Sequence, residues 1–314
     1  MMKKWLVRAA AASVLAAVLG LGYAVYNAQR ADYGWNPVVR RAAYTTAGPV
    51  VVIDEAHNNA STAGIGGRYW PLGRLLRKDG YDVRRGGEAF AAESLTGNAV
   101  LIIANASGAP KPQFMGINIP VGGGGDRGNA AFTAAEIRVV EAWVRGGGSL
   151  LLIADHAPFG AAAEGLASVF GVRMYKGFLE VPGEQSDPLL FTAENGRLGD
   201  HPIIAGDGPQ SAVRRVMTFT GQSLDGPAEA SVLLRLPPNA VEIGISETGE
   251  SKQRAAGRAQ GIALQWGKGR VVVLGEAAML TAQVANGAPF GMNTPGCDNQ
   301  QLALNILHWL SRKL

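Results

Sequence analysis

Four short apolar runs constrain this chain more than anything else in it: Val50–Asp54 (VVVID), Ala99–Ile103 (AVLII), Ser149–Ala154 (SLLLIA) and Arg270–Leu274 (RVVVL). Each is rich in β-branched or aliphatic residues without polar alternation, the pattern of a strand buried on both faces. Helical patterns lie between them. Tyr69, Leu72, Leu75 and Leu76 recur at helical spacing before a Gly80 stop, and Tyr81-Asp82-Val83 begins a short strand. Thr133-Ala134-Ala135-Glu136 reads as a capping box opening a helix whose apolar stripe is Ile137, Val140, Trp143 and Val144. Another helix runs through Leu166, Val169 and Phe170 to Gly171, and the last starts near Asp298, with Gln301, and buries Leu302, Ile306, Trp309 and Leu310. Strands alternating with amphipathic helices predict an α/β fold with a mainly parallel, doubly wound sheet.

The first thirty residues break from this pattern. Lys3, Lys4 and Arg8 precede an apolar run over residues 9–26 with no polar face. By the positive-inside bias its N-terminus faces the cytoplasm, so the run predicts an inner-membrane anchor with the globular part exported, periplasmic or extracellular. A cleaved signal is the alternative, with Gly22 and Ala24 as small residues near a cut and Tyr26 disfavouring the site before Gln29. Residues 31–47 read as a polar tether, and 48–314 as a single domain in which 172–260 form an irregular β-rich insertion.

Charge narrows the partners. The chain carries 29 Lys and Arg against 25 Asp and Glu, a net +4. Lys3, Lys4, Arg8 and Arg30 account for all of it, because no acid precedes Asp32. A neutral body lacks the basic footprint of a nucleic-acid binder. The single cysteine, Cys297, has no internal disulfide partner, and no Cys/His spacing resembles a zinc site.

Several motifs dissolve under inspection. Asp54-Glu55-Ala56-His57 spells a helicase signature, yet no G-x-x-x-x-G-K-[ST] loop accompanies it; Gly267-Lys268 is followed by Gly269. No nucleotide cofactor is expected. Gly123–Gly128 matches a dinucleotide fingerprint only in letters, in a chain with 43 glycines, about twice the usual share. It joins no strand to a helix and, with Gly122–Gly125, reads as a loop. A G-x-S-x-G elbow is missing.

What survives is a polar set repeated across strand ends. The first strand ends in Asp54, Glu55, His57, Asn58 and Asn59, the third in Asn105 and Ser107, the fourth in Asp155 and His156, and the last in Glu276. In a parallel sheet these share the rim where ligands bind. Asp155, His156, His57 and Glu276 are the candidate catalytic acid–base groups or metal ligands; Asp54, Glu55, Asn58, Asn59, Asn105 and Ser107 are candidate ligand contacts. A divalent metal is left open. Helix capping by each Asp or His is the competing structural role. His201 reads as a turn residue and His308 as packing.

The order of DEAHNN (54–59), GRYWPL (67–72), GGGSLLLIADH (146–156), GDHPI (199–203), GKGRVVVLGEAAM (267–279) and DNQQLALNILHWL (298–310) resembles a group of bacterial domains of unknown function in the class I glutamine-amidotransferase-like superfamily. The resemblance implies a flavodoxin-like three-layer sandwich over most of residues 48–312. It departs from true amidotransferases where it matters: the turn Ala154–Gly160 has no nucleophilic Cys, and Glu276 has no His two residues earlier. Amide transfer through a thioester is therefore not expected. Two functions are expected from this reading. One is an exported hydrolase on a cell-envelope or carbohydrate-like substrate. The other is a non-catalytic envelope binding or scaffolding domain. Either would take a polar small molecule, a glycan or an envelope ligand; oligomeric state is not legible.

Overall fold

The apolar runs become the centre of one large sheet. The computed structural model describes residues 29–108, 113–114, 117–118, 129–184, 188–246 and 249–314. The apolar run 9–26, the Gly122–Gly125 run and the Gly123–Gly128 match lie outside those residues. Strands β1 (Val50–Asp54), β2 (Asp82–Gly86), β3 (Val100–Ala104), β4 (Ser149–Ile153), β5 (Ala259–Trp266) and β6 (Gly269–Leu274) stand in the order β2-β1-β3-β4-β6-β5. The first five of that row are parallel, and β5 turns back antiparallel to β6. The result is a large mixed, mostly parallel sheet in an α/β domain.

Alternation along the strands explains why this sheet needs helices on both faces. Val51, Ile53, Ile102, Leu151, Ile153, Val272 and Leu274 share a core with Leu72, Leu75 and Leu76 of helix α1 (Trp70–Lys78). In chain order the next long helices are α2 (Ala134–Gly146), α3 (Phe159–Val169) and α4 (Asn299–Leu310). Leu302, Ile306 and Leu310 of α4 join the same core as α1. Leu101, Ile103, Leu150, Leu152, Val271 and Val273 face the other way, against Val140 and Val144 of α2 and Leu166 of α3.

The capping box expected at Thr133 is present. Thr133 Oγ1 accepts from Glu136 N at 3.2 Å, and Glu136 Oε2 accepts from Thr133 N at 2.9 Å. Thr133→Ala is expected to destabilise the fold by about 1 kcal/mol, read as a lower urea midpoint at unchanged slope. The cap expected at α4 is different. Asp298 stands before the helix, but its Oδ2 accepts from the backbone N–H groups of Arg214 (2.8 Å) and Arg215 (2.9 Å), while Gln301 bonds Asn305. The carboxylate thereby ties the 214–215 backbone to the head of α4.

Two other regions depart from their sequence appearance. The stretch 31–47 runs against the domain: Arg30–Ala31 pair with Gln283–Val284, Trp35 and Tyr44 pack on the core, and Tyr44 OH reaches Ser311 Oγ at 3.1 Å. Within 172–260, Arg173–Met174, Leu224–Asp225 and Ser231–Arg235 extend the main sheet beyond β5. Phe178–Glu180, Val241–Ser246 and Gly249–Arg254 form a separate antiparallel sheet.

Among the described residues no helix is long and apolar enough to cross a membrane. The expected inner-membrane anchor, residues 9–26, lies outside those residues, so the expected anchoring and export gain no support from the described structure.

Candidate functional site

Because β1, β3, β4 and β6 are parallel, their carboxyl ends bring the predicted polar residues to one rim. The structure divides that rim into two parts with different chemistry.

Over β1 and β3 the polar groups satisfy one another. His57 Nδ1 lies 2.9 and 3.0 Å from the two Asp54 oxygens, and its Nε2 lies 2.8 Å from Glu136 Oε1. Phe90 and Phe132 flank the imidazole, with ring centroids at 4.5 and 4.8 Å. Asn59 accepts from His57 N at 3.1 Å and donates to Asp54 Oδ2 (3.0 Å) and Ala104 O (3.3 Å). Burial would lower the His57 pKa, but the hydrogen bonds and charges of Asp54 and Glu136 outweigh it and raise the value. Burial likewise opposes ionisation of Glu136, yet His57 and Thr133 hold its pKa down at about 2. His57 is thus an imidazolium clamped between two carboxylates, with neither ring nitrogen left for a substrate. This is a correction to its expected catalytic role.

The neighbouring candidates are also engaged in structure. Glu55 accepts from Ala63 N (2.8 Å) and Gly64 N (3.1 Å) and pairs with Arg85. Ser107 N donates to His57 O at 2.9 Å. Asn58 and Asn105 occupy left-handed backbone conformations (φ 50° and 49°), which Asn tolerates better than most residues. Asn105 also spans the two halves of the rim, its Oδ1 accepting from Asp155 N at 2.9 Å.

Over β4 and β6 the arrangement is open. Asp155 Oδ1 accepts from His156 N at 2.9 Å, and the Ala277 backbone N–H also bonds the carboxylate. Burial pushes the Asp155 pKa up, while His156, Ala277 and Arg68 pull against it. Arg68 is exposed, its charge acts on Asp155, and it makes no hydrogen bond to any described residue. His156 Nδ1 donates to Ala157 O at 2.8 Å, and its ring stacks on Phe178 at 4.5 Å. In the neutral ring that bond places the proton on Nδ1 and leaves Nε2 as a lone-pair acceptor. Nε2 has no partner among the described residues and is open to solvent. His57 bonds Asp54 and Glu136, whereas His156 bonds Ala157 O and stacks on Phe178, so the two histidines belong to separate groups.

The floor of this half is fixed from several elements. Glu276 is fully buried and accepts from Ala278 N and Met279 N, both at 2.7 Å, so it caps the turn after β6 rather than presenting a free carboxylate. This corrects its expected acid–base role. Gln222 Nε2 donates to Ala154 O and Asp155 O, each at 2.9 Å, and its Oε1 accepts from Lys176 N at 2.8 Å. Gly160, at the head of α3, makes room for that amide: a Cβ there would lie 2.4 Å from Gln222 Nε2. Tyr69 OH donates to Ala277 O at 3.0 Å. Among the described residues no group of three or more His, Cys, Asp or Glu could hold a metal ion.

Sequence reasoning paired Asp155 with His156 but missed Arg68, Gln222, Phe178 and Glu136. Arg68 stands in the GRYWPL stretch, a signal that was available. Glu136 is marked locally only as half of the capping box, and nothing local marks Gln222 or Phe178.

No family model and no curated protein matches the chain. Solved structures do. The N-terminal domain of mmIFT52 is 14% identical, with a TM-score of 0.54, over 83% of this chain and 97% of that one; at that identity it shows the fold alone. A ThuA-like protein from Bacteroides uniformis is 14% identical (TM-score 0.45; 89% of this chain, 95% of that one). A GMP-synthase-like protein from Thermoplasma acidophilum is 10% identical (TM-score 0.43; 84% and 94%). None of these likenesses supports export or hydrolysis. The expected exported hydrolase and its envelope-scaffold alternative find no support in the described residues or in these likenesses and are not carried further.

Proposed function

We propose that this chain is a small-molecule-binding domain whose Asp155–His156 rim takes a neutral polyhydroxyl compound. In this reading residues 48–314 form one flavodoxin-like, three-layer domain of the class I glutamine-amidotransferase-like kind without its catalytic Cys.

The observation that carries the proposal is the His156 tautomer. An Nδ1–H donated to Ala157 O leaves an open Nε2 that accepts a ligand O–H. Beside it Asp155 is a second acceptor, and the exposed Arg68 is a donor that balances the Asp155 charge. Two acceptors and one donor with no excess charge match adjacent hydroxyls, each of which donates and accepts. Phe178, stacked under His156, holds the ring in place and offers an apolar edge.

Calorimetry and thermal melting of the full chain with myo-inositol, D-ribose and D-glucose test this, with acetate and glycine as charged controls. A saturable response to at least one neutral compound is expected. At about a hundred times its Kd the ligand stabilises the fold by about 2.7 kcal/mol. Saturable binding of the charged controls alone, or of nothing in the panel, contradicts the reading.

A further inference from the structure

Thr220 holds a backbone conformation that its side chain disfavours. Its φ is 106°, in the region a β-branched residue rarely enters. Such strain persists only where the surroundings impose it, and it concentrates at ligand sites. Here Gln260 Nε2 grips Thr220 O at 2.7 Å, while Gln260 Oε1 is itself anchored by Thr218 Oγ1 at 2.7 Å. Gln260 and Thr218 are fully buried, so the grip is rigid.

The strained residue sits beside the open half of the rim. Leu179 N donates to Gly221 O at 2.9 Å, one residue from the Phe178 ring that supports His156. A Cβ on Gly221 would lie 2.3 Å from Gly275 O and 2.8 Å from Glu276 Cβ, so this turn lies directly on the end of β6. Gln222 then bonds Asp155 O. The turn 220–222 is therefore wedged between the strand ends that carry Asp155 and Glu276 and the segment under His156.

A purely structural turn has no need of threonine here. Glycine adopts positive φ without strain, and the chain uses glycine at the next position, where φ is 72°. The Thr220 hydroxyl meets no partner among the described residues and is open to solvent. We infer that Thr220 is a ligand contact of the Asp155–His156 site, held in a strained conformation so that its hydroxyl bonds the same polyhydroxyl ligand.

This inference rests on the proposed reading of that site, and the test separates the two. Myo-inositol, D-ribose and D-glucose are titrated into the full-length wild type and the Thr220→Gly, Thr220→Ser and His156→Ala variants, and each protein is melted without ligand. Thr220→Gly is expected to raise the melting temperature by releasing strain and to weaken binding about tenfold, the loss of one hydrogen bond. Thr220→Ser, which keeps the hydroxyl, is expected to retain most of the affinity. Binding lost in His156→Ala but unchanged in Thr220→Gly overturns this inference alone. A Thr220→Gly variant that melts no higher than wild type removes the strain argument and overturns it too. No saturable binding by the wild type overturns the site reading and this inference together.

Discussion

His57→Ala is expected to destabilise the fold by about 3–5 kcal/mol, the cost of leaving buried carboxylates without their cation. Asp54 is 0% exposed and Glu136 8%, and both point at the imidazole. Removing the ring also empties the space between Phe90 and Phe132. The loss depends on pH in a defined sense. The folded His57 pKa is raised above 6.5, so its contribution is fully present below the unfolded value and fades as pH climbs through the folded one. The folded Glu136 pKa is depressed from 4.5 to about 2, so its contribution is present above 4.5 and fades as pH falls toward 2. Urea midpoints of wild type and His57→Ala should therefore differ most between pH 4.5 and 6.5, and the difference should narrow in alkali to what the lost ring packing costs. A difference that stays flat from acid to alkali would show that His57 is not held as a cation.

His156→Ala is expected to do the reverse. The variant loses one bond, to Ala157 O, and a partly exposed stacking contact, so it should fold with only a small change in midpoint. Binding of the neutral polyol should fall about 10- to 100-fold, because Asp155 and Arg68 then face a ligand hydroxyl that has no acceptor at Nε2. His156→Gln, which restores an acceptor without the ring, should recover part of that loss. Two histidines at the ends of neighbouring parallel strands are thus predicted to separate cleanly, one carrying stability and the other binding.

That separation explains what the sequence could and could not reveal. The strands were legible because VVVID, SLLLI and RVVVL are buried on both faces, and burial on both faces leaves no room for polar alternation. The shared rim was legible for the same reason, since parallel strands place Asp54, Asn105, Asp155 and Glu276 at one edge. Their roles were not. Glu136 reads locally as half of a capping box, which it is, but its other oxygen crosses 79 positions to reach His57. Asp298 reads as a helix cap, yet its carboxylate meets a backbone more than eighty positions away. Gln222 lies in a stretch without regular pattern and fixes Ala154 and Asp155 through their carbonyls. In each case one polar atom chooses between a local and a distant partner, and sequence spacing reports only the local one.

The most direct measurement is side-chain nitrogen NMR of the histidines in the full chain, followed through pH and through addition of myo-inositol. His156 is expected to hold its proton on Nδ1 when neutral, and its Nε2 resonance to move as ligand is added. His57 is expected to stay protonated on both nitrogens above its ordinary pKa and not to respond to ligand. A His57 resonance that shifts with ligand while His156 Nε2 stays still would contradict both expectations.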